Sequence, residues 1–418
     1  MHILIVPSEE FLPKDNHLLG IFQRDQAQAL ADYGVKVGVI GVSLRYSIFM
    51  ICKAIVYKAF LLKGTNSLYV LPLAKLFKLL FKALGRNIYF IHEKSAKYNV
   101  LRATGFYWPY PNNDYTLYSW GHTFDMAIKE YISEYGRPDI IHAHNAHFAG
   151  IAANMFHNNY NIPFVITEHS SEHARNLIPS AYVDKIKSAY NNSSNVIAVS
   201  MQLGLLLESQ YALDRSCAIV PNIIDKLFET LDNNIGFRPT ETFTFLNIAS
   251  LDENKNHKLL IKSFAKFHSK YTESILKIIG DGPLYEELIY LANELSLTSN
   301  IIFLGRLSRE EVLNELLSCS TFVLSSNYET FGVVLIEALA CGKPVIATKC
   351  GGPESIVKEY NGMLIPTDSE EELIYAMKKM YHSISEYDSH EIRRCCLEKY
   401  GSNAVVGSLV EHYNEILN

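Results

Sequence analysis

The chain has 418 residues, 48% hydrophobic and 20% charged, with a formal net charge of −6; its length suggests two domains and its composition is globular, which excludes disordered, collagenous and coiled-coil proteins. The negative balance argues against nucleic acid as the main partner. The seven cysteines contain no C-x-x-C pair and no signal peptide precedes the first strand, so a cytoplasmic chain with reduced thiols and no zinc site is expected.

Charge is segregated along the chain. No Asp or Glu occurs from Tyr33 to His92, whereas Lys36, Arg45, Lys53, Lys58, Lys63, Lys75, Lys78, Lys82 and Arg86 all fall there. Such segregation points to a basic face that meets something anionic.

In chain order, residues 2–6 read as a first strand, followed by a polar loop to Gly20, a helix ending at Tyr33-Gly34, and a strand over 36–40. This β–loop–α–β opening is how a nucleotide-type α/β domain begins, yet it lacks G-x-G-x-x-G, which leaves a dinucleotide dehydrogenase poorly supported. Residues 46–62 are apolar but carry Lys53 and Lys58; a central lysine costs about 2.5–3.5 kcal/mol in a spanning helix, so a surface or internal helix is expected. Lys75, Lys78, Lys82 and Arg86 form one stripe of a further helix whose other faces are Leu and Phe. That pattern suits an anionic membrane surface, or simply a solvated basic face over a core.

Further strands are expected at 140–144, 164–167, 196–199 and 218–220, short and β-branched, as in a parallel sheet buried on both faces. Periodicity fades over 222–240 into Asn, Asp, Gly and Pro, a linker. A second series follows, with strands at 243–248, 276–279, 301–304, 321–324 and 344–347 and helices between them. Two doubly wound domains leave a cleft between the carboxyl ends of their sheets, where ligands bind.

The most specific stretch is 325–344. A strand ends, a loop presents Glu329, and a helix begins near Phe331-Gly332, whose free first-turn N–H groups can hold phosphate oxygens. Glu337 lies deeper in that helix, where a carboxylate can accept hydrogen bonds from vicinal hydroxyls. An amphipathic helix with two solvated glutamates is the alternative, disfavoured by the strand–loop–helix setting. His142, His144 and His147 could suggest a metal, but no carboxylate or cysteine completes a set, and core or cleft histidines are the better reading.

These residues resemble the E-x7-E region of retaining GT-B glycosyltransferases of family 4. The likeness extends over nearly the whole chain: Gly20-Ile21-Phe22, the segment 137–144, Thr167-Glu168-His169-Ser170, Val220-Pro221-Asn222-Ile223-Ile224-Asp225, Gly280-Asp281-Gly282-Pro283, Gly305 and Gly351-Gly352-Pro353-Glu354. The resemblance implies an α/β GT-B fold of two Rossmann-like domains facing each other across a cleft. The acceptor-side domain would span 1–225, the linker 226–240 and the nucleotide-sugar domain 241–400, with a last helix over about 401–418 packing back on the first domain.

By the same resemblance, Glu337 would hold the ribose of a nucleotide sugar and Glu329 hydroxyls of the transferred sugar. Lys255 would neutralise the diphosphate, and His169 would sit beside the sugar ring. Gly20, Gly282, Gly305, Phe331, Gly332 and Val333 would line the donor site. The family usually carries an Arg-Leu pair five residues before its lysine, and this chain has Ser250-Leu251. A departing diphosphate wants two cations, so Lys255 and the helix start suffice, or Arg175 or Arg306 substitutes.

The chain contains no Asp-x-Asp, which fits a metal-free mechanism with no cofactor beyond the UDP- or GDP-linked sugar. The function expected is retaining transfer to a glycan acceptor, lipid-linked, in bacterial surface polysaccharide assembly. The protein would touch the inner face of the membrane through segment 53–86. A GT-B-shaped nucleotide-sugar epimerase and a silent nucleotide-sugar-binding subunit are the alternatives.

Overall fold

A computed structural model describes residues 1–12, 20–59, 71–83, 88–107, 113–231 and 242–418. Eight strands form the first sheet: β1 (His2–Pro7), β2 (Lys36–Arg45), β3 (Tyr89–Lys94), β4 (Asn99–Phe106), β5 (Ile140–His144), β6 (Phe164–Glu168), β7 (Asn195–Ala198) and β8 (Ala218–Ile219). Their order is β3-β4-β2-β1-β5-β6-β7-β8. The second sheet has six: β9 (Phe243–Ile248), β10 (Ser274–Ile279), β11 (Ile301–Gly305), β12 (Thr321–Leu324), β13 (Val345–Thr348) and β14 (Gly362–Ile365), ordered β11-β10-β9-β12-β13-β14.

Each sheet reverses its winding once, between β1 and β5 and between β9 and β12. At such a switch point the loops leaving the two adjacent strands turn to opposite faces and open a crevice. The central strands are buried on both faces, as β1 and β5 illustrate, because helices cover both sides of a parallel sheet.

The expectation of a wholly parallel first sheet needs correction. β3 pairs antiparallel with β4, His92 opposite Leu101. Only four residues join them, closed by Ser95 N–H donating to Tyr98 O, and so short a loop makes a hairpin rather than a crossover. β3 is an edge strand with His92, Glu93 and Lys94 exposed, charges that discourage pairing with another chain.

The 46–62 segment contains the helix Ile48–Ala59, and among the described residues no helix is long and apolar enough to cross a membrane. The basic stripe lies partly on the helix Leu73–Ala83. The side chains of Lys58, Lys78 and Lys82, and residues Lys63 and Arg86 entirely, lie outside the described residues, as does 232–241 of the expected linker.

What is described of the connector includes a short helix, Lys226–Glu229, capped by Asp225. Arg393, 5% exposed, clamps this segment to the second domain. Its guanidinium donates to the carbonyls of Phe228 at 2.9 Å, Ala340 at 2.5 Å, Glu229 at 2.9 Å and Leu231 at 2.9 Å. Ala340 ends the helix Val333–Ala340, so one cation satisfies otherwise orphaned carbonyls at two helix ends. Glu229 then receives Ser402 N–H at 2.9 Å and Ser402 Oγ at 2.6 Å. From there the helix Ser402–Leu417 returns to the first domain, burying Val405, Val406, Leu409 and Tyr413 in the core that holds Ile3, Ile5 and Val39, beside the helix Ile21–Asp32.

Losing the Arg393 guanidinium leaves buried carbonyls without a donor, at about 1–3 kcal/mol each. Arg393→Met is therefore expected to lower stability by at least about 3 kcal/mol in urea unfolding. A change below about 0.5 kcal/mol, the range of an ordinary surface substitution, would contradict the clamp.

Candidate active site

In the second domain, the loops leaving β9 and β12 meet at the switch point. Asn254 donates its side-chain N–H to Tyr328 O at 3.0 Å, its own carbonyl accepts Asn327 N–H at 2.7 Å, and Ser325 Oγ donates to Lys255 O at 2.9 Å. These bonds lock the loops together and bring Lys255 Nζ to 2.6 Å from Glu329 Oε1. Ser326 Oγ donates to the same oxygen at 2.7 Å. Both charged side chains keep an accessible edge, 21% for Lys255 and 14% for Glu329.

Glycine shapes the wall behind Glu329. Gly352 N–H donates to Glu329 O at 2.7 Å, and a Cβ on Gly352 would lie 2.2 Å from Phe331 O. Any other residue there would push the Glu329–Phe331 backbone aside. Gly282 has a comparable packing reason, since its Cβ would meet the Leu251 backbone at 2.5–2.8 Å; it presses the loop after β10 onto the loop carrying Ser250. Gly305 ends β11 and its carbonyl accepts Gly280 N–H at 2.9 Å.

The helix after β12 starts one residue later than the sequence suggests, at Val333 with Gly332 as N-cap. Phe331 is buried and packs edge-on against Tyr400, while Val333 and Val334 stay half-exposed at the open first turn, where their own N–H groups have no intrahelical acceptor and Leu335 N–H donates to Gly332 O at 2.9 Å. Ser200, at the end of β7, donates Oγ to Thr330 O at 2.6 Å, so the first domain touches the crevice rim.

Glu337 is 2% exposed. Its Oε1 receives Arg309 Nη2 at 2.6 Å, whereas Oε2 is buried with no hydrogen-bond partner among the described residues. Burial raises its pKa, and Arg309 opposes that rise. No motif singled out Arg309, because its partners come from distant parts of the chain.

Arg306 and Arg175 are exposed, and neither side chain has a hydrogen bond or ion pair among the described residues. Ser250 donates Oγ to Asp252 Oδ2 at 2.6 Å, so the position that holds an arginine in the resembled family is here part of a small polar turn.

In the first domain, the facing switch point is built from the ends of β1, β5 and β6. His142 and His144, both fully buried, stack at 4.5 Å between ring centroids. His144 Nδ1 lies 2.9 Å from His169 Nε2, and His169 stacks on Phe22. Gly20 caps the helix that carries Phe22. The order of this pocket comes from Glu168, fully buried, which accepts N–H groups of Ala146 at 2.9 Å, His169 at 3.1 Å and Ser170 at 2.9 Å, and the Tyr190 hydroxyl at 2.9 Å. Burial alone would raise the Glu168 pKa, but His173 and the backbone donors outweigh it and hold it near about 2. Burial lowers His142 to about 3 and His169 to about 4, the latter against the opposing pull of Glu168. Asn145 and Phe148, just after β5, adopt positive φ of 67° and 63°, strain of the kind that gathers at functional sites. The histidines hydrogen-bond to protein groups: His142 meets Gln26, Thr167 and, at 2.6 Å, Tyr413 of the last helix. Among the described residues no three His, Cys, Asp or Glu side chains are grouped to hold a metal ion.

A family model described as Glycosyl transferases group 1 matches residues 229–391, and one described as Glycosyltransferase Family 4 matches residues 92–226. An uncharacterized glycosyltransferase of Methanocaldococcus jannaschii is 32% identical over 247 residues, covering 56% of this chain and 64% of that protein. The N-acetylgalactosamine-N,N'-diacetylbacillosaminyl-diphospho-undecaprenol 4-alpha-N-acetylgalactosaminyltransferase of Campylobacter jejuni is 30% identical over 210 residues, covering 47% of this chain and 56% of the relative. The chain thus spans less than two thirds of the length of these relatives. Among solved structures, a sucrose-phosphate synthase from Thermosynechococcus elongatus superposes with a TM-score of 0.69 at 17% identity, covering 100% of this chain and 99% of the other. Anabaena HepE in complex with UDP superposes with a TM-score of 0.67 at 16% identity, covering 99% and 100%. The fold is GT-B.

The buried imidazoles predict a pH response. Burial holds His142, His169 and His257 at about 3, 4 and 4 in the folded chain, against 6.5 when unfolded. Between pH 6.5 and about 4 the unfolded state therefore binds protons that the folded state does not. Stability falls as pH drops through that window, by about 1.4 kcal/mol per pH unit per histidine. Glu168 acts lower: its depressed pKa gives stability present above 4.5 and lost toward about 2. The melting temperature is expected to be level above pH 7 and to decline between pH 6.5 and 5, less steeply in His142→Gln. Equal melting temperatures at pH 7.5 and pH 5 would contradict the neutral buried histidines.

Proposed function

This chain belongs to the group 1, family 4 glycosyltransferases, and we propose that it transfers a sugar from a nucleoside diphosphate sugar with retention at the anomeric carbon. The observation that carries the reading is the Lys255–Glu329 pair, 2.6 Å apart at the mouth of the β9/β12 crevice. In this reading the diphosphate lies over the first turn of the helix Val333–Ala340, with Lys255 as its cation. The ribose hydroxyls reach the unpartnered Oε2 of Glu337, and Glu329 faces hydroxyls of the transferred sugar. His169, neutral at physiological pH, sits across the cleft beside the sugar ring.

No step in this reading requires a nucleophile from the protein. The departing diphosphate takes the acceptor proton on the face from which it leaves, and the chain contributes by holding both substrates and stabilising the charge that develops. The route is metal-independent, supported by a lysine in the position where charge accumulates and by a sequence without Asp-x-Asp. Arg306 and Arg175, exposed and without partners among the described residues, are the groups proposed as a second cation.

The acceptor is proposed to be a lipid-linked glycan of bacterial surface polysaccharide assembly. The Campylobacter jejuni relative is named for a diphospho-undecaprenol acceptor. The helices Ile48–Ala59 and Leu73–Ala83 add a physical argument, since they expose Ile48, Phe49, Val56, Leu73 and Phe77 in a segment free of acidic residues. Apolar side chains beside lysines suit the interface of an anionic leaflet, at about 1 kcal/mol per basic residue.

With Ser250 in place of an arginine, Lys255 carries the leaving charge from its own loop. Lys255→Ala is expected to lower kcat by about 100- to 1000-fold, the usual effect of deleting one transition-state donor, while Ser250→Arg is tolerated. Near-normal turnover by Lys255→Ala with the cognate donor would refute this role. Membrane docking has its own test in vesicle flotation. Phe49→Asp with Phe77→Asp is expected to abolish association with vesicles containing phosphatidylglycerol, and 1 M salt to weaken it, because the screening length then falls to about 3 Å. Flotation unaffected by the double substitution would remove the membrane contact.

A further inference from the structure

Arg309 opens the helix Arg309–Ser318, which Ser308 and Glu311 cap reciprocally. Its guanidinium joins two separate parts of the chain, the helix Val333–Ala340 and the connector at Asp225 and Phe228. Nη2 donates to Glu337 Oε1 at 2.6 Å, Nη2 and Nε approach Asp225 Oδ2 at 3.1 and 3.2 Å, and the Phe228 ring lies 4.9 Å below it. A forked cation bound to two carboxylates and stacked on a ring has little rotational freedom left. It is thereby committed to protein partners and is not available as a second cation on a diphosphate.

What Arg309 leaves open is informative. Of the two oxygens of Glu337, one is taken and the other, Oε2, is buried without a partner among the described residues. A buried, unpartnered carboxylate oxygen is costly unless a ligand supplies donors. A carboxylate so enclosed also tends to take up a proton unless a cation faces it. Arg309 is that cation; among the described residues Asp225 and Cys341 also interact electrostatically with Glu337, with Arg24 and Asp25 of the first domain beyond Asp225 and Arg393 and Lys343 beyond Cys341.

We propose that Arg309 is a positioning residue for the donor. It fixes Glu337 through Oε1, so that Oε2 is presented to the vicinal diol of the nucleoside, without itself touching the nucleotide. This rests on the placement of the ribose at Glu337.

The test is calorimetric titration of the full chain with UDP and with GDP, using whichever the wild type binds more tightly. Wild type, Glu337→Gln, Arg309→Met, Arg309→Lys and the Glu337→Gln/Arg309→Met double variant are compared at pH 7.5. Glu337→Gln and Arg309→Met are each expected to weaken binding by about tenfold or more, the loss of one charge-assisted hydrogen bond. The double variant is expected to lie within about twofold of Glu337→Gln, since residues acting through one another are not additive. In Arg309→Met, raising the pH to 9 is expected to restore part of the lost affinity by ionising Glu337, a response that Glu337→Gln lacks. Arg309→Lys, which keeps the charge but not the fork, is expected to fall between wild type and Arg309→Met; if the methionine variant does not fold, wild-type affinity in the lysine variant overturns the proposal. If Glu337→Gln binds normally, the ribose placement itself fails. If Glu337→Gln weakens binding but Arg309→Met does not, or the two losses multiply, the placement stands and the role of Arg309 is overturned.

Discussion

The reversal of strand order between β9 and β12 is the constraint from which the candidate site follows. It forces two loops that are far apart in sequence to leave adjacent strands side by side and turn to opposite faces. Hydrogen bonds from the Asn254 side chain, the Ser325 hydroxyl and the Asn327 amide to the carbonyls of Tyr328, Lys255 and Asn254 close the resulting seam, and only then do Lys255 and Glu329 come within hydrogen-bond distance. Glycines after β10 and β13 let neighbouring loops press against this seam. A cation and a carboxylate are thus held ready at the edge of a helix start, a preorganised arrangement that can receive developing negative charge with little rearrangement.

The first domain repeats the device at the β1/β5 reversal with different chemistry. There the crevice is lined by neutral imidazoles rather than by opposed charges, and the charge sits one layer deeper on Glu168, satisfied by backbone and hydroxyl donors. A charged half facing an uncharged, hydrogen-bonding half suits the proposed transfer, in which a diphosphate would leave one side and a sugar ring would rest against the other. The two halves are tied by Arg393 at the connector and by the last helix, whose Tyr413 reaches His142.

Much of this was legible in the sequence where apolar strands run between turn signals: β1, β5, β6, β9, β12 and β13 all lie where their β-branched runs place them. The strand–loop–helix setting of Glu329 and Glu337 was legible for the same reason. β3 and β4 were not, because an edge hairpin carrying His, Glu and Lys has no clean alternation, and in the helix Asn113–Tyr135 the exposed Tyr115, Tyr118 and Met126 and the buried Ser119 and Thr123 blur the stripe of Leu117, Trp120, Phe124, Ile128 and Tyr131. Arg309 was invisible because its meaning depends on Asp225 and Glu337, partners brought near only by the tertiary fold. Arg306 and Arg175, by contrast, were weighed in the sequence only as substitutes for the arginine missing at Ser250, and the fold gives neither exposed side chain a partner among the described residues.

The central claim is that the β9/β12 crevice holds a nucleoside diphosphate between Lys255 and Glu337. A crystal structure of the chain with bound UDP or GDP tests it most directly. The account requires a diphosphate oxygen within hydrogen-bond distance of Lys255 Nζ or the N–H groups of the first turn at Val333, and ribose hydroxyls on Glu337 Oε2. A nucleotide seated elsewhere, with Glu337 Oε2 still without a partner, would contradict it.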